Sequence, residues 1–262
     1  MPELPDVEVF KRYLDATALH QPIDQVTVRD ERVLGRVSSR TLRHRLSGRE
    51  FQSTRRHGKY LFAELTGSGW LALHFGMTGF LKYFKNEEPD PEHDMLLVRF
   101  SNGYGLGYNN RRRLGTVDFT PHTEDFIARH SLGPDALAMD RETLDALLRA
   151  HRGTIKPLLM DQSALAGLGN VYTDEILFQA AIHPRTPVPR LDAGARRRLY
   201  RSMTQVLTTT IERGADPARF PRTYLTPHRR AGASCPRCGA PLKQIRISGR
   251  ATYYCPRRQP AP

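Results

Sequence analysis

The sequence predicts an α+β protein with a β-rich N-terminal half, a helical C-terminal half and a small basic module at the end. Three observations predict it. Short β-rich runs separated by turn residues fill positions 23–120. Apolar residues recur at helical spacing after Pro121. All three cysteines, Cys235, Cys238 and Cys255, fall in the last 28 residues.

The elements follow in order. Val7, Phe10 and Leu14 recur at helical spacing, with Asp6 near the start of that helix, where an acid complements the dipole. Pro2 and Pro5 are expected to keep the first residues extended. Strands are predicted at Ile23–Arg29, Glu50–Arg55, Tyr60–Leu65, Trp70–Phe75, Phe80–Phe84 and Met95–Phe100. Breaks at Gly48, His57-Gly58, Gly67-Ser68-Gly69, Gly76 and Asn102-Gly103 separate them. Several short strands at this rhythm suggest a sandwich or a barrel. Helices are predicted at Arg141–Ala150, capped by Asp140, near Pro157, and at Val171–Ala181, stopped by His183-Pro184. The longest, Ala193–Arg213, is capped by Asp192, ended by Gly214, and buries Leu199, Met203, Val206, Leu207 and Ile211.

The composition sets the class of partner. Hydrophobic residues are 39% and charged residues 26% of the 262, ordinary for a globular protein. No stretch approaches the ~20 apolar residues of a membrane span. The start has no basic segment followed by an apolar run, so a cytoplasmic protein is the expectation. The net charge is +13. From Pro217 to Pro262 there are nine Arg, one Lys and no acid, so that tail holds +10 of it. Concentrated positive charge favours a polyanion, because each neutralised phosphate releases counterions.

Two local patterns carry chemistry. Removal of Met1 would leave Pro2 as a free secondary amine, whose class titrates near ~8 and is partly neutral at physiological pH. Such an amine condenses with an aldehyde-like carbon to an iminium. Glu3 beside it is a candidate general acid. The plain alternative is that Pro2 stiffens a terminus and Glu3 starts a helix. Cys235-x2-Cys238 with Cys255 has the spacing of a structural zinc site, but Arg258 stands where a fourth Cys completes it. Three thiolates in an open site, His228 as a fourth ligand, and a metal-free hairpin all remain open.

The opening Pro2-Glu3-Leu4-Pro5-Asp6-Val7-Glu8 resembles the formamidopyrimidine-DNA glycosylase and endonuclease VIII family, on its formamidopyrimidine side. Five further segments resemble it in the same order: Arg55–Leu61 around Lys59, Leu73–Gly79 with His74 and Met77, Asn110–Gly115, Ile155–Glu175, and Gly249–Cys255. The resemblance implies an N-terminal β-sandwich domain with flanking helices over 1–120 and a linker at 121–134. It implies a helix-two-turns-helix DNA-binding domain at 135–222 and a degenerate zinc-finger hairpin at 223–262.

The resemblance also implies a bifunctional glycosylase and abasic-site lyase of base excision repair, a monomer acting on double-stranded DNA with damaged bases or abasic sites. Pro2 would attack the sugar C1′, Glu3 would move the proton, and Lys59 would contact a phosphate. His74, Lys156, Asn170 and Arg250 would bind DNA. Met77, Arg112 and Leu114 would fill the gap left by the everted base. Cys235, Cys238 and Cys255 would hold Zn²⁺. A bacterial, nucleoid-associated protein is expected. Leu114 stands where the family usually has Phe, Asp6 where it usually has Glu, and only 20 residues separate Gly214 from Cys235. Two alternatives are a non-catalytic relative that binds damaged DNA and an RNA- or ribosome-binding zinc-ribbon protein.

Overall fold

A computed structural model describes residues 1–85 and 93–262. The chain divides into two compact units, one of 1–2 and 6–130, the other of 3–5 and 131–262.

The first unit opens with helix α1 (Leu4–Thr17), whose first two residues count with the second unit. Pro5 lies in the first helical turn rather than in extended chain, where its missing N–H costs nothing. Strands β1 (Ile23–Val28), helix α2 (Ser39–Leu46), β2 (Phe51–His57), β3 (Tyr60–Leu65), β4 (Trp70–His74), β5 (Phe80–Lys85), β6 (Asp94–Phe100), β7 (Tyr104–Asn109) and β8 (Thr116–Thr120) follow. They form two antiparallel four-stranded sheets, ordered β1-β6-β7-β5 and β2-β3-β4-β8. One apolar core joins inner positions of both sheets, such as Leu61, Leu71 and Leu73 from one and Val26, Leu96 and Val98 from the other. That is a sandwich, with Val7 and Leu14 of α1 and Leu42 and Leu46 of α2 closing its core. The predicted linker holds helix α3 (Thr123–Arg129), and its Phe126 packs on Phe62 and Ala72.

The second unit is helical: α4 (Arg141–Ala150), α5 (Ile155–Met160), α6 (Asn170–Ala180) and α7 (Ala193–Glu212). Asp140 caps α4 by accepting from Thr143 N at 2.7 Å, and Asp192 caps α7 by accepting from Ala195 N at 2.6 Å. Helix α5 starts two residues before Pro157, which sits in its first turn. Helix α6 ends at Ala180, with Ala181 left-handed at φ 55°, before the expected His183-Pro184 stop. Their apolar stripes meet in one core that includes Leu144, Ile155, Ile176 and Met203. The hairpin β9 (Lys243–Ile247) and β10 (Arg250–Tyr254) completes this unit. Among the described residues no helix is long and apolar enough to cross a membrane.

Candidate nucleic-acid interface and active site

The first unit gathers six of the sequence-predicted residues. Pro2 is half-buried. Lys59 follows Gly58 (φ 56°) in the two-residue turn between β2 and β3, and a glycine suits that left-handed position. His74 ends β4 with its ring 4.9 Å from Tyr60. Burial, with the charges of Lys59 and His130 beside it, pulls the His74 imidazole down to about 4. Its Nδ1 accepts from Gly76 N at 3.4 Å. The ring is therefore neutral at physiological pH and carries its proton on Nε2, a donor rather than a cation.

Met77 and Leu114 are 40% and 52% exposed, unusual for side chains of this size, and Arg112 is exposed between them in sequence. Their two loops are knitted together. Gly76 (φ 57°) lies so close to the Leu114 backbone that a Cβ there would stand 2.4 Å from its carbonyl carbon. Arg112 N donates to Thr78 Oγ1 at 3.3 Å. Fully buried Asn110 donates to Phe75 O at 3.3 Å and accepts from Leu114 N at 3.2 Å. Sequence reasoning passed over Asn110, whose role shows only through those bonds.

The second unit builds its part around the start of α6. Glu3 is 1% exposed, and its carboxylate accepts from the N–H groups of Gly169 (2.8 Å), Val171 (2.9 Å) and Tyr172 (3.2 Å). It does the work of an N-cap, supplied from the far end of the sequence. Gly169 carries no side chain because a Cβ would meet the Glu3 carboxyl at 2.4 Å. The cap of α6 is therefore not the neighbouring Asn170. Asn170 is its first residue; its amide donates to Ala251 O of β10 at 2.9 Å and accepts from Lys156 at 2.7 Å.

Lys156 lies inside the protein. It is 0% exposed, and its ammonium donates to Asn170 Oδ1 at 2.7 Å, Asp174 Oδ1 at 2.5 Å and Thr252 Oγ1 at 2.7 Å. All three N–H groups are spent inside the protein, so none is left for a phosphate. Burial lowers its pKa from the ordinary lysine value, while Asp174 works against that. Asp174 also accepts from Arg229 at 2.8 Å and from Tyr253 N at 3.1 Å. Glu175 receives Leu225 N at 3.1 Å, and Thr226 N and Oγ1 at 2.7 Å each. Burial raises its pKa, which those donors partly offset. Asp174, Arg229 and Thr252 were not singled out in the sequence, because Arg229 lies 55 positions from Asp174 and Thr252 lies 96 from Lys156.

Arg250 is exposed at the β9–β10 turn, where Ser248 and Gly249 both take positive φ. The sulfurs of Cys235, Cys238 and Cys255 lie within 4.8 Å of one another. A tetrahedral zinc with Zn–S near ~2.3 Å spaces its sulfurs about 3.8 Å apart, so three corners fit. Among the described residues no His, Asp or Glu joins this group, and His228 lies outside it. Arg258 lies over the Phe178 ring of α6 at 5.7 Å instead. Burial pushes the Cys255 thiol up to about 11, so a bound cation must displace its proton.

The first unit thus offers a sandwich with two exposed apolar side chains on joined loops, and the second a capped helix start and a three-cysteine hairpin, features of a nucleic-acid-binding protein. Residues 1–117 match the formamidopyrimidine-DNA glycosylase N-terminal domain, 132–221 its helix-two-turns-helix domain, and 234–257 a zinc finger shared with isoleucyl-tRNA synthetases. The chain belongs to the formamidopyrimidine-DNA glycosylase family. It is 35% identical over 273 residues to the formamidopyrimidine-DNA glycosylase of Streptococcus pyogenes serotype M6, covering 99% of this chain and 98% of that one. It is also 35% identical over 270 residues to that of Geobacter metallireducens, covering 99% and 100%. The solved complex of Lactococcus lactis Fpg with abasic-site DNA shares its fold at a TM-score of 0.90 and 28% identity, over 99% of this chain and 100% of that one. The complex of the same protein with FAPY-dG DNA matches at 0.90 and 29%, over the same shares.

Proposed function

We propose that this chain is a bifunctional DNA glycosylase and abasic-site lyase of base excision repair, acting as a monomer on damaged double-stranded DNA. The relatives above are named for, or bound to, such substrates. The observation that carries the reading is the Glu3 carboxylate, held by three backbone N–H groups one residue after Pro2. Once Met1 is removed, the Pro2 nitrogen attacks C1′ of the damaged nucleotide. The glycosidic C–N bond breaks, the base leaves with that electron pair, and Glu3 manages proton transfer. The C1′–O4′ bond then breaks, O4′ leaves with its electron pair and takes a proton, and the nitrogen lone pair forms an iminium at C1′. This makes the C2′ proton acidic, so the 3′ phosphate leaves by β-elimination and the 5′ phosphate by δ-elimination.

Lys59 and the neutral Nε2–H of His74 hold phosphates, and Arg250 grips the backbone through a bidentate guanidinium. Met77, Arg112 and Leu114 occupy the gap left by the extruded base, offsetting a few kcal/mol of lost stacking and pairing. Asn170 and Lys156 act by holding β10, and so the turn that carries Arg250. Cys235, Cys238 and Cys255 are the residues that would hold Zn²⁺, whose part is structural. The domain boundaries at 120, 134 and 222, and a cytoplasmic, nucleoid-associated location, belong to the same reading.

The test is borohydride trapping on abasic duplex DNA. A covalent adduct is expected, and Pro2→Gly removes it. Strand-specific binding without an adduct would favour a non-catalytic damage binder.

A further inference from the structure

We propose that the outward face of α7 is a docking groove for an acidic peptide segment of a partner protein. Arg197, Arg201 and Thr208 form a stripe along the exposed side of this helix, at spacings of four and seven residues, and all three are solvent-exposed. Arg141, the first residue of α4, joins them, and together with Tyr200 and Thr204 they line a groove of about 630 Å³. No acidic residue lines it. None of these residues belongs to the site described above.

The charge is left unmatched in a protein that matches its neighbours. Arg149 and Arg196, one helical turn away, both pair with Asp145 at 2.7 and 2.5 Å. The side chains of Arg141, Arg197 and Arg201 make no ion pair or hydrogen bond among the described residues. Arg197 and Arg201 also repel each other at i,i+4, an arrangement that works against the helix unless an anion sits between them.

The lining decides which anion. A duplex presents a convex ridge of phosphates, about one charge per 1.7 Å. This surface is a shallow groove, and the half-buried Tyr200 ring lines it while packing on the helical core. A peptide fills both features, with carboxylates on the guanidinium groups and an apolar side chain on the ring. The stretch from Arg197 to Thr208 spans roughly 16 Å, about five residues of extended chain.

The experiment measures fluorescence anisotropy of a fluorescein-labelled peptide in which Asp and Leu alternate, added to the full-length protein. Binding is expected, with an affinity about tenfold or more weaker for the Arg197→Glu/Arg201→Glu variant. Cleavage of abasic duplex by that variant is expected to be unchanged, a control that separates this groove from the proposed repair function. Arg197→Gln/Arg201→Gln serves if charge reversal impairs folding, with a smaller loss in the same direction. Absent binding, or binding that neither variant weakens, overturns the proposal. So does displacement of the peptide by undamaged duplex together with an equal loss of duplex affinity in the variants, which assigns the groove to nucleic acid.

Discussion

Lys156→Met tests whether the signature lysine touches DNA or holds the protein together. The structure gives it 0% exposure and three internal acceptors, Asn170, Asp174 and Thr252. Removing one partner of a buried ion pair typically costs about 3–5 kcal/mol, because the other charge is stranded. Asp174 keeps Arg229 and Tyr253 N, so the lower end applies. With a urea m-value near ~2 kcal/mol/M, about 3 kcal/mol moves the unfolding midpoint of the helical unit by roughly 1.5 M. Adding Asp174→Asn should not restore it, because Arg229 then loses its carboxylate partner. The second assay is the salt dependence of binding to uncleavable abasic duplex. A lost phosphate contact lowers the slope of log K against log salt by ~0.9. Lys156→Met should weaken binding and leave that slope unchanged, whereas Arg250→Ala should lower it by about one. A midpoint shift under ~0.3 M, or a slope change like that of Arg250→Ala, refutes the internal assignment.

Three further outcomes are expected. Glu3→Gln replaces an acceptor-only cap with a group that turns N–H toward the three N–H groups of α6; it should lower stability by about 1 kcal/mol and sharply slow base removal, read by denaturation and by single-turnover excision. The His74 pKa near 4 lies below the unfolded value near ~6.5, so the unfolded chain binds the extra proton first. His74 therefore makes stability rise with pH between about 4 and 6.5, by about 3 kcal/mol, and the measured rise should shrink in His74→Phe across that window, with His183 supplying part of what remains. Arg258→Cys should convert weak or absent zinc retention into stoichiometric retention after dialysis against chelator, assayed by metal content.

What the sequence made legible was local. The Cys235-x2-Cys238 knuckle, the caps Asp140 and Asp192, and the exposed Met77 and Leu114 all rest on short spacings. Strand β7 was not predicted, because Gly105 and Gly107 dilute its strand pattern. Gly107 is there because a Cβ would stand 2.0 Å from the buried Asp94 carboxylate, a reason visible only in three dimensions. Helix α2 offers just Leu42 and Leu46 among basic residues, too narrow an apolar stripe to stand out. The α6 cap could not be read at all, since Glu3 lies 166 positions from Gly169. Lys156 was misplaced for a related reason. Sequence reports its charge, while depth and partners decide whether that charge meets solvent.

The same buried network explains how the hairpin tolerates Arg258. Three consecutive residues of β10 are bonded to the helical core: Ala251 O accepts from Asn170, Thr252 Oγ1 from Lys156, and Tyr253 N donates to Asp174. Beyond the cysteines, Gln259 donates to Ile182 O at 2.8 Å and accepts from Cys255 N at 2.9 Å. Arg250 directly precedes the bonded run, so its place follows from α5 and α6 rather than from the thiols. A metal would add stability at Cys255, four residues past the bonded Ala251, and leave the guanidinium where it is. The absence of a fourth cysteine thus leaves a ligand missing at the end of the hairpin that does not carry Arg250. Lys156, Asn170 and Asp174 take over the positioning that a closed zinc site would otherwise share.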